Sequence, residues 1–182
     1  MTLRRSPFGR GYTMVELMMA ITVFAIGVMG IAAMQKITLG SNLHAKKLAT
    51  ATHIAQSWQE RLAADGSLWL AAQNASQWLD NPTGDWVRAP KDVDDTFGPS
   101  FGPLGEYVSE VDQAYFCVNI RLSEMRSRAD ALPGNGLVRS EVLVFWPREG
   151  REPATYCGDT QVNIDADAFH YVHNVSAVRQ KP

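Results

Sequence analysis

The sequence predicts an α+β fold in which one long N-terminal helix packs on an antiparallel β-sheet. Two patterns indicate this fold. An apolar run near the N-terminus continues into an amphipathic helical pattern, and three alternating or β-branched segments follow in the C-terminal half. Because the helical pattern precedes the strand patterns instead of alternating with them, the order is typical of an α+β domain.

An apolar run occupies residues 17–34 of the 182-residue chain. Within it only Thr22, Gly27 and Gly30 are not apolar, and no residue is charged. A helix over 12–35 would measure roughly 36 Å, which exceeds the roughly 30 Å hydrocarbon core of a bilayer. A soluble helix of this length is seldom apolar on every face. We therefore predict that residues 12–35 form a helix that enters a membrane.

Three arginines, Arg4, Arg5 and Arg10, precede the run, and the first 11 residues include no acidic residue. The positive-inside rule then keeps this end in the cytoplasm and places the rest of the chain outside. A secretory signal is the alternative, with a cleavage site after the apolar run. Glu16, however, lies one residue inside the apolar border, where a carboxylate costs free energy on insertion. We expect a carboxylate retained at that depth to have a function.

The residues Gly11-Tyr12-Thr13-Met14-Val15-Glu16, followed at once by the apolar helix, resemble the class III signal of type IV pilins and pseudopilins. The resemblance implies that a prepilin peptidase cuts between Gly11 and Tyr12 and then methylates the new amino group of Tyr12. It also implies that Glu16 directs the register and incorporation of the subunit during filament assembly. The first mature residue in this family is usually Phe, and Tyr12 keeps the aromatic ring.

The run Ala25-Ile26-Gly27, Gly30, Ala32-Ala33 and Gln35 is similar to that of PilV-type minor pilins. This resemblance implies a structural minor pilin, not an enzyme, that primes or supports assembly of a type IV pilus near its tip. The implied partners are other minor pilins, the major pilin, the prepilin peptidase, the inner-membrane assembly platform and, before assembly, membrane lipid. A type II secretion pseudopilin and a tip adhesin displayed by the pilus are the alternatives.

The resemblance also implies where the protein resides. The precursor would lie in the bacterial inner membrane, with its N-terminus in the cytoplasm and its head in the periplasm, and would later reach the pilus and the cell surface. The domains expected are a leader at 1–11, a membrane or filament-core helix at 12–35, an amphipathic half of the same helix at 36–64 and a globular head at 65–182.

Gly27 and Gly30 stand in the interior of the apolar helix, where each glycine costs roughly 1 kcal/mol relative to alanine. Two interpretations remain open at this point. Small residues let neighbouring membrane helices approach closely. Alternatively, the two glycines loosen the helix locally when a subunit leaves the membrane and packs into a filament.

The helical pattern continues beyond the apolar run with one apolar face, formed by Leu43, Ala51, Ile54, Trp58 and Leu62. We expect the helix to end near Gly66, because glycine is a common helix terminator. A short second helix is expected over 67–79, and the proline- and glycine-rich residues 80–105 are expected to form a loop.

Three segments of the head have strand patterns: 116–122, 137–146 and 171–178. The residues 134–136, Gly-Asn-Gly, have good turn chemistry between the first two strands. Trp58 and Trp146 are expected in the core. These strands predict an antiparallel sheet packed on the outer half of the long helix.

The two cysteines, Cys117 and Cys157, lie in the first strand and after the second strand. A disulfide between them is expected if the head lies outside the cytoplasm, because disulfides persist in oxidising compartments. Two buried free thiols are the alternative.

No catalytic, metal or cofactor site is predicted. Gly98-Pro99-Ser100-Phe101-Gly102 matches G-x-S-x-G, but a nucleophile elbow needs a strand before the serine and a helix after it, so we expect a loop. His170 and His173 lack a third metal-ligand cluster and are expected on the surface. The net charge of -2 gives no indication of nucleic-acid binding.

Overall fold

The computed structural model describes residues 11–66, 79, 83–126, 136–148, 154–158, 165 and 167–179. Its first element is one long helix, α1 (Met14–Asp65). The strands β1 (Trp86–Arg88), β2 (Ser100–Phe101), β3 (Phe116–Arg126), β4 (Leu137–Pro147) and β5 (Phe169–Arg179) follow, with a 3₁₀ turn (Val111–Gln113) before β3 and a short helix α2 (Ala154–Cys157) before β5. All but Leu79 of the helix expected over 67–79, and most of the turn expected at 134–136, lie outside the described residues. The chain divides into two compact units between Ala45 and Lys46.

In the first unit every described residue, from Gly11 to Ala45, is exposed. An 18-residue stretch of this helix has a mean hydropathy of 2.3, and none of it is buried. The hydroxyl of Thr22 donates a hydrogen bond to the carbonyl oxygen of Met18 at 2.7 Å, so this polar group is satisfied within the helix. The helix is therefore long and apolar enough to cross a membrane.

In the second unit the remainder of α1 packs on the sheet. Its buried apolar residues recur every three or four positions and are Ala51, Ile54, Ala55, Trp58 and Leu62. This spacing places them on one helical face, as the sequence predicted. The prediction was wrong for Leu43, which is 61% exposed because it belongs to the first unit, where no described residue is covered.

The helix ends where predicted, at Asp65, and the N–H of Gly66 donates to the carbonyl oxygen of Leu62 at 3.0 Å. A Cβ at Gly66 would lie 2.4 Å from Cγ1 of Val178 in β5. Glycine at this position therefore allows the chain to leave the helix in close contact with the end of β5.

The sheet is antiparallel throughout, with strand order β1-β3-β4-β5, and β2 also pairs with β3. The pairing of β3 with β4 shifts between Glu124 and Arg126, whereas β4 and β5 pair without a shift from Leu137↔Arg179 to Pro147↔Phe169. The three long strands confirm the sequence prediction.

The prediction of a loop over 80–105 was wrong in part, because β1 and β2 lie within this segment. Strands of three and two residues are too short to show alternation in a sequence. Both strands form because they pair with the side of β3 that does not pair with β4.

Each face of the sheet has its own apolar cluster. On the helix side α1 contacts a core that includes Val118, Val142 and Trp146. The opposite face buries Phe145 with its neighbours Ala114, Cys117, Tyr156, Cys157 and Phe169. Trp58 and Trp146 are 0% and 1% exposed, which confirms their predicted place in the core. One long helix packed on a five-stranded antiparallel sheet is the predicted α+β architecture.

Candidate functional site: the start of the long helix

The start of α1 is fixed by Thr13. The backbone N–H of Glu16 donates to Thr13 Oγ1 at 3.3 Å, and the N–H of Leu17 donates to the Thr13 carbonyl oxygen at 3.2 Å. Thr13 is therefore the N-cap residue. The pair Thr13 and Glu16 also has the spacing of a capping box, S/T-x-x-E. The sequence analysis gave Thr13 no role, although this spacing was visible in the chain.

Glu16 lies in the first turn of the helix. A carboxylate there is favoured by the positive end of the helix dipole, by about 0.3–1 kcal/mol for an exposed group. Gly11 and Tyr12 precede the helix in extended or irregular backbone, and the Tyr12 side chain is 84% exposed. The two residues that flank the expected cleavage site are therefore exposed and lie before the helix.

Gly27 and Gly30 lie in uninterrupted helix within α1. A Cβ built on either residue meets nothing within 4 Å. The single chain therefore gives no steric reason for glycine at these positions. Both interpretations of the two glycines stay predictions.

Cys117 and Cys157, the pair expected from the sequence, are joined in a disulfide with their Cα atoms 5.4 Å apart. Cys117 lies in β3 and Cys157 ends α2. The bond closes a loop across 40 residues and lies within the apolar cluster on the outer face of the sheet.

A charged cluster on the same outer face was missed by the sequence analysis. Its centre is Glu141 in β4, whose side chain is 1% exposed. Arg121 donates to both carboxylate oxygens, at 2.9 Å to Oε1 and 2.8 Å to Oε2. Arg139 Nε lies 3.1 Å from Oε1, and His173 Nε2 lies 2.9 Å from Oε2. The ring of Trp86 packs against the Arg121 guanidinium and the imidazole of His173.

Two opposing effects act on the pKa of Glu141. Burial raises it, while hydrogen bonds and charge from Arg121, with His173 and Arg139, lower it. The cationic partners outweigh burial, so the pKa of Glu141 lies below its ordinary value. Glu141 is therefore an ionised carboxylate that orders Arg121, Arg139 and the imidazole of His173 on one surface.

A second polar group orders the loop before β2. Tyr107 donates its hydroxyl to Asp95, and Lys91 Nζ lies 3.3 Å from Asp95 Oδ1. Burial, followed by this hydrogen bond and the charge of Asp95, raises the pKa of Tyr107 to about 12. The hydrogen bond from Tyr107 and then that from Lys91 lower the pKa of Asp95.

Ser100 begins β2, so the loop expected there is wrong. It is 1% exposed, and its hydroxyl accepts a hydrogen bond from Arg88 Nη2 at 3.2 Å. No helix occurs among the described residues 101–110, so the arrangement lacks the strand-serine-helix order of a nucleophile elbow. Within the part of the chain that the structure describes, no three His, Cys, Asp or Glu side chains form a group able to hold a metal.

Residues 9–32 match the family model of the prokaryotic N-terminal methylation motif. No curated protein and no solved structure matches the chain. The motif marks a prepilin-type protein, of the type IV pilin or pseudopilin kind. Such a signal implies processing by a prepilin peptidase and assembly with other pilins. Together with the exposed apolar helix, it fits a structural protein that is first a membrane-anchored precursor.

Proposed function

We propose that this protein is a structural minor pilin of the PilV type, which primes or supports assembly of a type IV pilus near its tip. The observation that carries the proposal is the position of Glu16. It lies inside the methylation motif and in the first turn of an exposed helix that is apolar beyond it. A carboxylate at the head of a membrane-entering helix needs a cationic partner, and processing supplies one.

Cleavage after Gly11 leaves a positively charged amino group on Tyr12, four residues before Glu16. Four residues correspond to about one helical turn. When apolar helices pack in a filament, the amine of one subunit and the Glu16 carboxylate of its neighbour attract strongly in a medium of low dielectric constant. An unpaired charge in that core is costly, so the pair selects a subunit in the correct register.

The remaining parts of the chain serve this assembly. Residues 1–11 are the leader, 12–35 the membrane and filament-core helix, 36–64 the amphipathic half of the helix, and 65–182 the periplasmic head. Gly27 and Gly30 present a surface without side chains to neighbouring helices, which suits close packing. The partners are other minor pilins, the major pilin and the inner-membrane assembly platform.

Substitution of Glu16 tests the proposal. The Glu16→Ala variant is expected to be cleaved and methylated as the wild type is, but to be absent from sheared pili. Glu60→Ala, which removes an exposed carboxylate from the same helix, is the matched control and is expected to enter pili normally. Immunoblots of membranes and sheared pili measure both. Normal incorporation of Glu16→Ala contradicts the proposed role.

Deletion distinguishes a pilus subunit from a secretion pseudopilin. Loss of surface pili in both retracting and non-retracting backgrounds supports a role in priming assembly. Normal piliation with lost protein secretion identifies a type II secretion pseudopilin instead, and normal piliation with lost adhesion identifies an adhesin.

A further inference from the structure

The outer edge of the sheet is formed by β5, which among the described strands pairs only with β4. The hydrogen bonds of β3 and the register of the strands show which N–H and C=O groups of β5 point toward β4 and which point away from it. In β3 the N–H of Val118 donates to the Pro99 carbonyl oxygen, and the carbonyl oxygen of Leu122 accepts from the N–H of Gly84, both at 2.8 Å. Even-numbered residues of β3 therefore direct their peptide groups away from β4.

In an antiparallel sheet the peptide groups of successive residues point to alternate sides of the strand. Odd-numbered residues of β3 thus bond to odd-numbered residues of β4, as in the pair Arg121↔Glu141. Even-numbered residues of β4 then bond to β5, as in the pair Ser140↔Ser176. The N–H and C=O groups of the odd-numbered residues of β5 point away from β4, to an edge where no described strand pairs: Tyr171, His173, Val175 and Ala177.

Within the described residues of β5, this edge lacks three features that commonly prevent strand pairing. Protected edges carry proline, lysine or a bulge. Residues 171–178 contain neither proline nor lysine, and their pairing with β4 has no register shift. All four outward residues are exposed, including Tyr171 at 51% and Val175 at 45%. The edge is therefore a regular template for a further strand.

The charges beside the edge indicate what kind of strand fits. His173 lies on β5, and Arg139 lies on β4 opposite the small residue Ala177, with its side chain 48% exposed. Glu141, which faces both, is 1% exposed and already contacts Arg121, Arg139 and His173. Beside the edge the outer face thus presents the cationic side chain of Arg139, in a chain whose net charge is -2.

A second copy of this chain would bring another Arg139 to the edge, and like charges opposed across a strand pair are destabilising. An extended segment with acidic side chains at alternate positions would instead place its carboxylates beside Arg139 and His173. Tyrosine and arginine are also enriched where protein interfaces are strongest.

We propose that the β5 edge binds an extended acidic segment of a different filament subunit, which adds a strand to the sheet. The backbone groups of Tyr171, His173, Val175 and Ala177 supply the hydrogen bonds, and Arg139 selects the acidic side chains. The inference rests on the proposed function in one respect: that the partner is another subunit of the same filament.

The test places a photoactivatable cross-linking residue at Ala177 of the full-length chain in cells. Val93, which is 86% exposed on a loop, is the control position. Illumination is expected to join position 177, but not position 93, to a segment of another pilus subunit with alternating acidic residues, mapped by mass spectrometry. Little adduct at 177 compared with 93, or an adduct with a second copy of this chain, overturns the proposal.

Three substitutions in the cross-linking chain test the proposal: two at Val175 separate backbone pairing from simple contact, and one at Arg139 tests the selection of acidic side chains. Val175→Pro removes an N–H that points away from β4, and proline is tolerated on an edge strand. It is expected to lower the adduct yield at least tenfold, whereas Val175→Thr keeps the N–H and is expected to keep the adduct. Arg139→Glu is expected to lower the yield about tenfold. Circular dichroism and an intact disulfide show that each variant is folded.

An unchanged yield with Val175→Pro shows contact without strand addition and overturns the proposal. The proposed function fails separately. If the chain is cleaved and enters pili through Glu16 but gives no adduct at position 177, only the edge inference is lost. If Gly11 is not cleaved, the pilin assignment is lost, while the cross-link from the membrane-held chain still reports on the edge.

Discussion

Two carboxylates show how differently one chemical group is used in this chain. Glu16 is exposed at the start of α1, next to the Thr13 cap, and among the described residues the helix dipole is the favourable electrostatic effect on its carboxylate. Glu141 is buried among cations on the sheet. The first is arranged for a partner from outside the chain, and the second is satisfied within the head. This difference supports the proposed assembly role of Glu16, whereas Glu141 orders side chains on the surface of the head.

Replacement of Glu141 by Gln should change how the stability of the head depends on pH. A carboxylate whose pKa is lowered in the folded state stabilises it above the ordinary pKa of about 4.5, and this contribution is lost as pH falls through the folded value. The wild type should therefore lose stability below pH 4.5 more steeply than Glu141→Gln. At pH 7 the variant should be less stable by about 1–3 kcal/mol, because Arg121 and Arg139 lose their charged acceptor.

Urea denaturation of the full chain in detergent, followed by tryptophan fluorescence at several pH values, measures both effects. Glu110→Gln is a suitable control, because Glu110 is exposed and makes no side-chain cap bond at the 3₁₀ turn. Parallel pH profiles for wild type and Glu141→Gln would show that the cluster does not hold the pKa down.

Gln59 connects α1 to two strands within the second unit. Its Nε2 donates to the carbonyl oxygens of Asn174 at 3.3 Å and Ser140 at 3.5 Å, and the Ser140 hydroxyl donates to its Oε1 at 2.9 Å. Ser176 also donates to Oε1. These hydrogen bonds are directional, so they hold the helix in one position along β4 and β5. Apolar contacts alone would not select a single position.

Gln59→Ala should destabilise the head by about 1–3 kcal/mol, because it removes the acceptor that the Ser140 and Ser176 hydroxyls share and the donor to two strand carbonyl oxygens. Gln56→Ala, an exposed position on the same helix, should change the free energy of unfolding by less than about 0.5 kcal/mol. Equal effects of the two substitutions, in the same urea assay, would exclude a role for the Gln59 network.

The elements that the sequence predicted are those with strong periodic patterns. The helix, the residues 116–122, 137–146 and 171–178, and the buried tryptophans Trp58 and Trp146 were all predictable, because burial imposes a repeat on the sequence. The short strands β1 and β2 were not, because two or three residues show no period and depend on β3 for their partners. The same limit applies to the charged cluster. Arg121, Glu141 and His173 meet only through strand register, which the sequence does not specify.

The candidate site at the start of α1 was largely predictable, because its residues are adjacent in the chain. Gly11, Tyr12 and Glu16 lie within a local motif, and the match over 9–32 includes all three. Thr13 could also have been found from its spacing to Glu16. The open edge at β5 could not, since the direction of each peptide group follows from the order of the strands.

At the scale of the whole molecule, the mean composition is an average over two units that bury their apolar residues differently. The first unit is an exposed apolar helix suited to lipid or to a filament core. The second has its own core and a disulfide, which in the chain-entropy model stabilises a loop of this size by about 4 kcal/mol. Removal of residues 1–11 would take away Arg4, Arg5 and Arg10 and no acidic residue, so the mature chain would be more acidic than the precursor.

Intact-mass and N-terminal peptide analysis of the protein from its native membrane tests the central claim most directly. We expect the chain to begin at Tyr12, with one methyl group on its amino nitrogen, and to keep the apolar run. Gly11→Val should remain at precursor length, because the proposed cut follows this glycine of the class III signal. A chain that begins after the apolar run, or one that keeps Met1 in cells with an active prepilin peptidase, would contradict the assignment.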